Sequence, residues 1–213
     1  VKAINVLETC PVLACPQTKS GEMLALDIVR GAMDVSGKEI LPLRFAMSRD
    51  KAVQQAAHQE AAEAVCRFLA AGKDVAMPNL GDVSIYSTYC YLMELVKARG
   101  FETRMVPGVP SFCAVAARLG ISLTEMNAPL HIVPGSWDLP QALEWPGHKI
   151  LMKSGSQMPQ VLRAICRQGG LGRSAMVQNC GLPGERAYPT LEGVDPQAPA
   201  GYFATVIVKE GEG

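Results

Sequence analysis

The run DVAMPNLGDVSIYSTYCYLMELVKARGFETRMVPGVPSFCAVAARLG, residues 74 to 120, twice repeats one order: a short apolar stretch, a glycine turn, an amphipathic segment. Asp74 to Met77 reads as a strand ended by Pro78 and Asn79. Gly81-Asp82 then turns the chain into a helix from about Ile85 to Arg99, closed by Gly100. Phe101 to Val106 reads as a second strand, broken at Pro107-Gly108, and Ser111 to Leu119 as a helix closed by Gly120. Just upstream, Val53, Ala57, Ala61, Ala64, Val65, Phe68 and Leu69 fall at helical spacing from Lys51 to Ala71, with Gly72 as the stop. Strands and helices alternating through short links imply an α/β chain with parallel strands and right-handed crossovers.

Outward from this centre the pattern loosens. Val1, Ile4, Val6 and Leu7 lead to Pro11 as one helical face, so the chain opens inside a helix without Met, and a cut N-terminus is expected. In the second half, His131 to Val133, Lys149 to Met152, Ser174 to Asn179 and Tyr202 to Lys209 read as strands, and Met158 to Arg167 as a helix. Gly181 to Gly201 is rich in Pro and Gly, suited to turns and short antiparallel pieces, so this half carries a mixed sheet. A domain boundary is expected near Pro107, giving 1–107 and 108–213.

Composition narrows the function. With 20 Lys plus Arg against 20 Asp plus Glu, the formal charge of the 213 residues is +0. That argues against a general nucleic-acid binder, which needs a cationic surface. Seven cysteines without a CxxC, and His58, His131 and His148 scattered without an HExxH, point to a reduced cytoplasmic chain and no metal site. No stretch approaches the ~20 apolar residues of a membrane helix.

The chemistry concentrates in LGDVSIYSTY, Leu80 to Tyr89. A strand end, Gly-Asp and a helix start form the place where open α/β sheets bind ligands. Gly81 permits close backbone approach, and Ser84, Ser87 and Thr88 add hydroxyls near helix N-terminal amides. The plainer alternative is an Asp82 that only caps the helix. MVPGVPSF, Met105 to Phe112, repeats the design, and its alternative is an ordinary Pro-Gly turn.

Together these segments resemble the tetrapyrrole methylase family, and flanking text narrows the likeness to its precorrin-2 C(20)-methyltransferase branch. LPLRFAMSRDKAV, Leu41 to Val53, is similar to that branch's (F)PMTRD segment, LGDVSIYST to LGDPxxYST, and VPGVPSFCAVAARLGISLTE to PGVxSFxAxAARLGxPLxE. The resemblance spans essentially the whole chain. It implies two α/β domains with S-adenosylmethionine bound between them, a tetrapyrrole acceptor and a homodimer, with neither nucleic acid nor membrane as partner. Three departures stand. The family's first strand and GxGPGD turn are missing before Val1; Val83 replaces the proline of GDP; and Pro110 replaces the first serine of PGVSS, which removes an amide donor.

Carried over by resemblance, cofactor contacts fall on Gly81, Asp82, Ile85, Tyr86, Ser87, Thr88, Pro110 and Ser111, and in the second half on Met152, Asn179, Cys180 and Thr205. For Met152, Cys180 and Thr205 core packing is the competing reading, since all lie in strand-like runs. Arg49 and Asp50 are the substrate-side signature, because a guanidinium suits carboxylate arms; alternatively Asp50 caps the helix behind it. Lys19, Arg44 and Arg186 are further candidates of that kind. Methyl transfer from a sulfonium needs positioning above all. Tyr86, Asp50 and Glu185 are the candidates for a base, with solvent or a substrate carboxylate as alternatives. Another acceptor within the family, or a non-catalytic cofactor- or tetrapyrrole-binding relative, remain the competing functions. A dehydrogenase is disfavoured because no GxGxxG follows a strand.

Overall fold

The computed structural model describes residues 1–46, 48, 50–197 and 200–211, and the chain divides into two compact units, Val1–Val109 and Pro110–Gly213. The first contains α1 (Lys2–Thr9), β1 (Val12–Gln17), α2 (Leu24–Ala32), β2 (Glu39–Arg44), α3 (Lys51–Ala70), β3 (Val75–Ala76) and α4 (Tyr89–Lys97). Its sheet has the order β2-β1-β3 and is all parallel, with Val12 opposite both Glu39 and Val75. β1 is buried from Val12 to Cys15, as a strand covered on both faces must be. One face packs Ala14 and Leu43 against Ala62 and Val65 of α3 and Leu92 and Val96 of α4; the other packs Leu13 and Cys15 against Leu26 and Val29 of α2.

α3 starts where Asp50 accepts a hydrogen bond from the Ala52 amide at 2.8 Å. It stops at Gly72, whose φ of 75° no residue with a Cβ adopts cheaply. Asp50 thus caps α3, as its second reading expected. Asp50→Ala is expected to destabilise the first unit by about 1 kcal/mol, seen as a lower urea midpoint, whereas Asp50→Ser leaves it near wild type.

Two expectations for this unit need correction. The helix expected from Ile85 starts at Tyr89, because Tyr86 takes φ 51°, left-handed backbone that no right-handed helix contains. The strand expected over Phe101 to Val106 does not form: residues 101–110 have no ladder. β3 is an edge strand, and residues 102–106 lie with it around a cleft of about 910 Å³ rather than beside it in a sheet. Without a hydrogen-bonding neighbour, an apolar run is only an extended segment. β1, α2 and β2 have no counterpart among the elements expected from sequence.

The second unit contains α5 (Ser111–Leu119), β4 (Leu130–Pro134), α6 (Leu139–Glu144), β5 (His148–Met152), α7 (Met158–Arg167), β6 (Ser174–Gln178), β7 (Arg186–Tyr188) and β8 (Ala204–Val208). Its sheet is mixed, in the order β4-β5-β8-β6-β7, with β4 and β5 parallel and the other pairs antiparallel. α7 presents Met158, Val161, Leu162 and Ile165, the i, i+3, i+4, i+7 stripe, to a core with Leu151, Met176 and Val206. α5 ends in a left-handed Gly120, as the sequence predicts. The α/β class, the parallel first sheet and the mixed second sheet all stand as expected. All seven cysteines are free, and no helix among the described residues is long and apolar enough to cross a membrane.

Candidate functional site

In the first unit the site begins where β3 ends. Pro78 cannot continue a ladder, and the chain turns through Gly81 at φ 75°. Asp82 organises the loop beyond that turn. One carboxylate oxygen accepts from the Ser84 amide at 2.9 Å and from the Ser84 hydroxyl; the other accepts from the Gly108 amide at 2.8 Å, 26 residues on. These three donors, the Ser84 hydroxyl first, hold its carboxyl below the usual carboxylate range. Asp82 therefore does not cap α4; it joins the two glycine turns. At that junction a Cβ on Gly108 would lie 2.1 Å from the Gly81 carbonyl oxygen. The second turn is thus more than an ordinary Pro-Gly turn.

Beyond Asp82, Ser87 donates to the Asn79 side chain at 3.1 Å and accepts from the Tyr89 amide. Thr88 precedes α4 without a side-chain capping bond. The Cys90 thiol donates to the Val83 carbonyl, and the Tyr89 hydroxyl to the Arg104 carbonyl at 2.8 Å. Ile85 is half-buried, and Tyr86 is exposed overall, with partial burial pushing its phenol up. Gly81 and Gly108 also line the 910 Å³ cleft, as does Thr103, whose hydroxyl is buried without a hydrogen-bond partner among the described residues.

The second unit brings its candidates together by register. β8 lies between β5 and β6, with Val206 opposite Leu151 and Thr205 opposite Val177. Met152 at the end of β5, Asn179 and Cys180 just past β6, and Thr205 near the start of β8 therefore share one sheet edge. Thr205 is buried, while Met152 and Cys180 are half-buried. The Asn179 amide donates to the Phe203 carbonyl at 3.1 Å, tying the loop after β6 to β8. Glu185 accepts from the Gly181 amide at 2.7 Å and from Arg118 of α5, which keep its carboxyl ionised below the usual range. Burial pushes the Cys180 thiol up. Pro110 and Ser111 form the entry to α5, where the Pro110 carbonyl accepts from the Cys113 amide at 2.9 Å.

Three non-glycine residues among those described have left-handed φ: Tyr86, Lys153 and Asn179. Lys153 and Asn179 directly follow β5 and β6, and Tyr86 lies in the loop between β3 and α4, all in the loops that carry the candidate contacts. Left-handed backbone costs a residue with a Cβ about 1–2 kcal/mol and collects at ligand sites. Lys153, Asn79 and Arg118 are the positions that sequence reasoning missed, and none of them carried a visible signal; Gly108 was legible as the second glycine turn but not for its contact with Gly81.

The substrate-side candidates are less concentrated. Asp50 is engaged at α3, and Arg49 lies outside the described residues. Lys19 and Arg186 are exposed, and Arg44 donates to the Gln17 side chain at 3.1 Å. Among the described residues no cluster of His, Cys, Asp or Glu is placed to hold a metal ion.

Comparison with known proteins gives the geometry its context. The family model of the Tetrapyrrole (Corrin/Porphyrin) Methylases matches residues 1–195. A cobalt-precorrin-2 C(20)-methyltransferase of Salmonella typhimurium is 31% identical over 216 residues, covering 99% of this chain and 90% of the relative. A precorrin-2 C(20)-methyltransferase of Sinorhizobium sp is 27% identical, covering 98% and 88%. Among solved structures, a uroporphyrin-III C-methyl transferase from Thermus thermophilus, complexed with S-adenyl homocysteine, superposes with a TM-score of 0.68 at 18% identity, over 98% of this chain and 90% of that one.

Proposed function

The chain belongs to the tetrapyrrole methylases, and from that premise we propose that it methylates carbon 20 of precorrin-2 or its cobalt complex in cobalamin biosynthesis, with S-adenosylmethionine as donor. The observation that carries the reading is the Asp82 clamp, which holds two glycine turns against each other at the carboxyl end of β3. The donor set suits an adenosyl group. Hydroxyls of Ser87 and Thr88 match a ribose or an amino-acid head, and the Met152, Cys180 and Thr205 edge matches an adenine ring, apolar with a few polar contacts. Three of the roughly four acceptor positions of the Asp82 carboxylate are taken by Ser84 and Gly108, so its turn offers the cofactor mainly backbone.

S-adenosylmethionine supplies, when bound, a methyl group already activated on a sulfonium. The protein's own task is positioning, worth up to ~7–11 kcal/mol for well-oriented reactants. Gly81 and Gly108 provide close backbone approach, and the left-handed Tyr86 and Asn179 fix the loops that carry the polar contacts. The acceptor carbon gains a methyl and gives up a proton. Glu185 is doubly bonded and held ionised, Asp50 caps α3, and the raised Tyr86 phenol stays protonated at neutral pH. None of the three is set up as a base, so the proton passes to solvent or to a carboxylate of the substrate itself. The chain acts in the cytoplasm as a homodimer on this reading, and the family likeness supports both.

Incubation of the purified protein with precorrin-2 or cobalt-precorrin-2 and S-adenosylmethionine is expected to shift the visible spectrum and to add one methylene by mass to the pigment. No change with either pigment would refute the acceptor assignment.

A further inference from the structure

An aromatic cluster lies at the same end of the first sheet and has no part in the cofactor site. Phe45 directly follows β2, His58 sits two turns into α3, and Tyr91 lies in the first turn of α4. The His58 and Tyr91 rings stack with centroids 4.8 Å apart and 9° between their planes; Phe45 leans on His58 at 5.9 Å and 55°. Tyr91 nevertheless stays 61% exposed. One of its faces is covered by the imidazole, and the exposure leaves the other open to solvent.

Packing of α3 on α4 does not account for this stack. That contact is made by Ala62, Val65, Leu92 and Val96 in the core beneath, against which Phe45 also packs, and a ring left mostly in water, as that of Tyr91 is, returns little of its apolar area. Burial pushes the His58 imidazole toward its neutral form, so the stack is an uncharged π surface at neutral pH. It is also tied to the cofactor loop: Tyr91 follows Cys90, bonded to the Val83 carbonyl, and lies two residues past Tyr89, whose amide is held by Ser87. Carboxyl ends of parallel strands are where such sheets take ligands.

We propose that Tyr91, backed by His58 and Phe45, is a platform on which the conjugated face of the tetrapyrrole acceptor stacks. The proposal rests on the methyltransferase reading and adds to it the place of the substrate ring. Aromatic stacking suits this ligand because a conjugated macrocycle offers a large π face while its carboxylate arms stay at the rim. Loss of one stacking ring from a π-face site weakens binding about tenfold.

The test uses uroporphyrin III, a stable tetrapyrrole octacarboxylate, titrated by its own fluorescence, with S-adenosylhomocysteine titrated calorimetrically in parallel. Tyr91→Ala and Tyr91→Leu are expected to bind the porphyrin about tenfold more weakly, with S-adenosylhomocysteine affinity unchanged. Tyr91→Phe, which keeps the ring, should match wild type. With the true acceptor, Tyr91→Leu should raise KM and spare kcat. Porphyrin affinity unchanged in Tyr91→Leu overturns the platform while leaving the methyltransferase reading intact. Wild type that binds neither porphyrin nor S-adenosylhomocysteine overturns both.

Discussion

Gly108→Ala is expected to weaken S-adenosylhomocysteine binding about 100-fold, the upper range for forcing a methyl group into a packed contact. The new Cβ would lie 2.1 Å from the Gly81 carbonyl oxygen and 3.1 Å from its carbon. Both are backbone atoms, so no flexible side chain can swing aside, and one of the two turns must move. Gly108 is absent from the left-handed glycines, so close approach causes the effect rather than a forbidden dihedral. Gly37→Ala makes the control, since a Cβ there meets nothing within 4 Å. Calorimetric titration of both variants, with circular dichroism to confirm folding, decides the matter. A Gly108→Ala protein that binds like wild type would remove the two-turn clamp from the mechanism.

Asp82→Ala should weaken the same binding on the order of thirtyfold, as three carboxylate-accepted hydrogen bonds disappear, two from Ser84 and one from the Gly108 amide. Asp82→Asn separates charge from shape. Its one carbonyl oxygen can serve Ser84 or Gly108 but not both, because the amide nitrogen donates. An affinity between wild type and Asp82→Ala is therefore expected. The pH dependence has a definite sign. Hydrogen bonding lowers the folded-state pKa of Asp82 below its ordinary value of 3.8, so its stabilisation is complete above that value and lost as the pH falls through the lower folded one. Acid unfolding of Asp82→Asn should lack this contribution, so the gap between wild type and variant should narrow as pH drops below about 4. A constant gap across that range would show that the carboxylate's charge plays no part in the clamp.

Much of the fold was legible because local rules decided it. α7 could be read to the residue, since its apolar stripe has period 3.6 and Gly169-Gly170 follows it. Gly72, Gly100 and Gly120 all take left-handed φ, the conformation a helix end demands and only glycine adopts without strain. The site was half legible. Gly81 and Asp82 stand out at a strand end, and Met152, Asn179 and Thr205 are indicated by resemblance, while register alone shows that they share one edge. Asp50 illustrates the opposite limit. Its two readings, substrate ligand and helix cap, use the same residue at the same place, and only the hydrogen bond to the Ala52 amide establishes the cap.

By itself the sequence determined the class of fold, the order of most elements and the two glycine turns, because periodicity and turn chemistry depend on neighbours a few residues apart. The tertiary structure alone decided three things that depend on distant partners. Phe101 to Val106 has strand-forming side chains but no ladder, since a strand exists only where another backbone meets it. Tyr86 takes a left-handed conformation that no propensity foretells, and so delays α4 to Tyr89. Asp82 reaches across 26 residues to the Gly108 amide, a contact created when the chain returns to the same strand end, and no pattern confined to one segment can encode it.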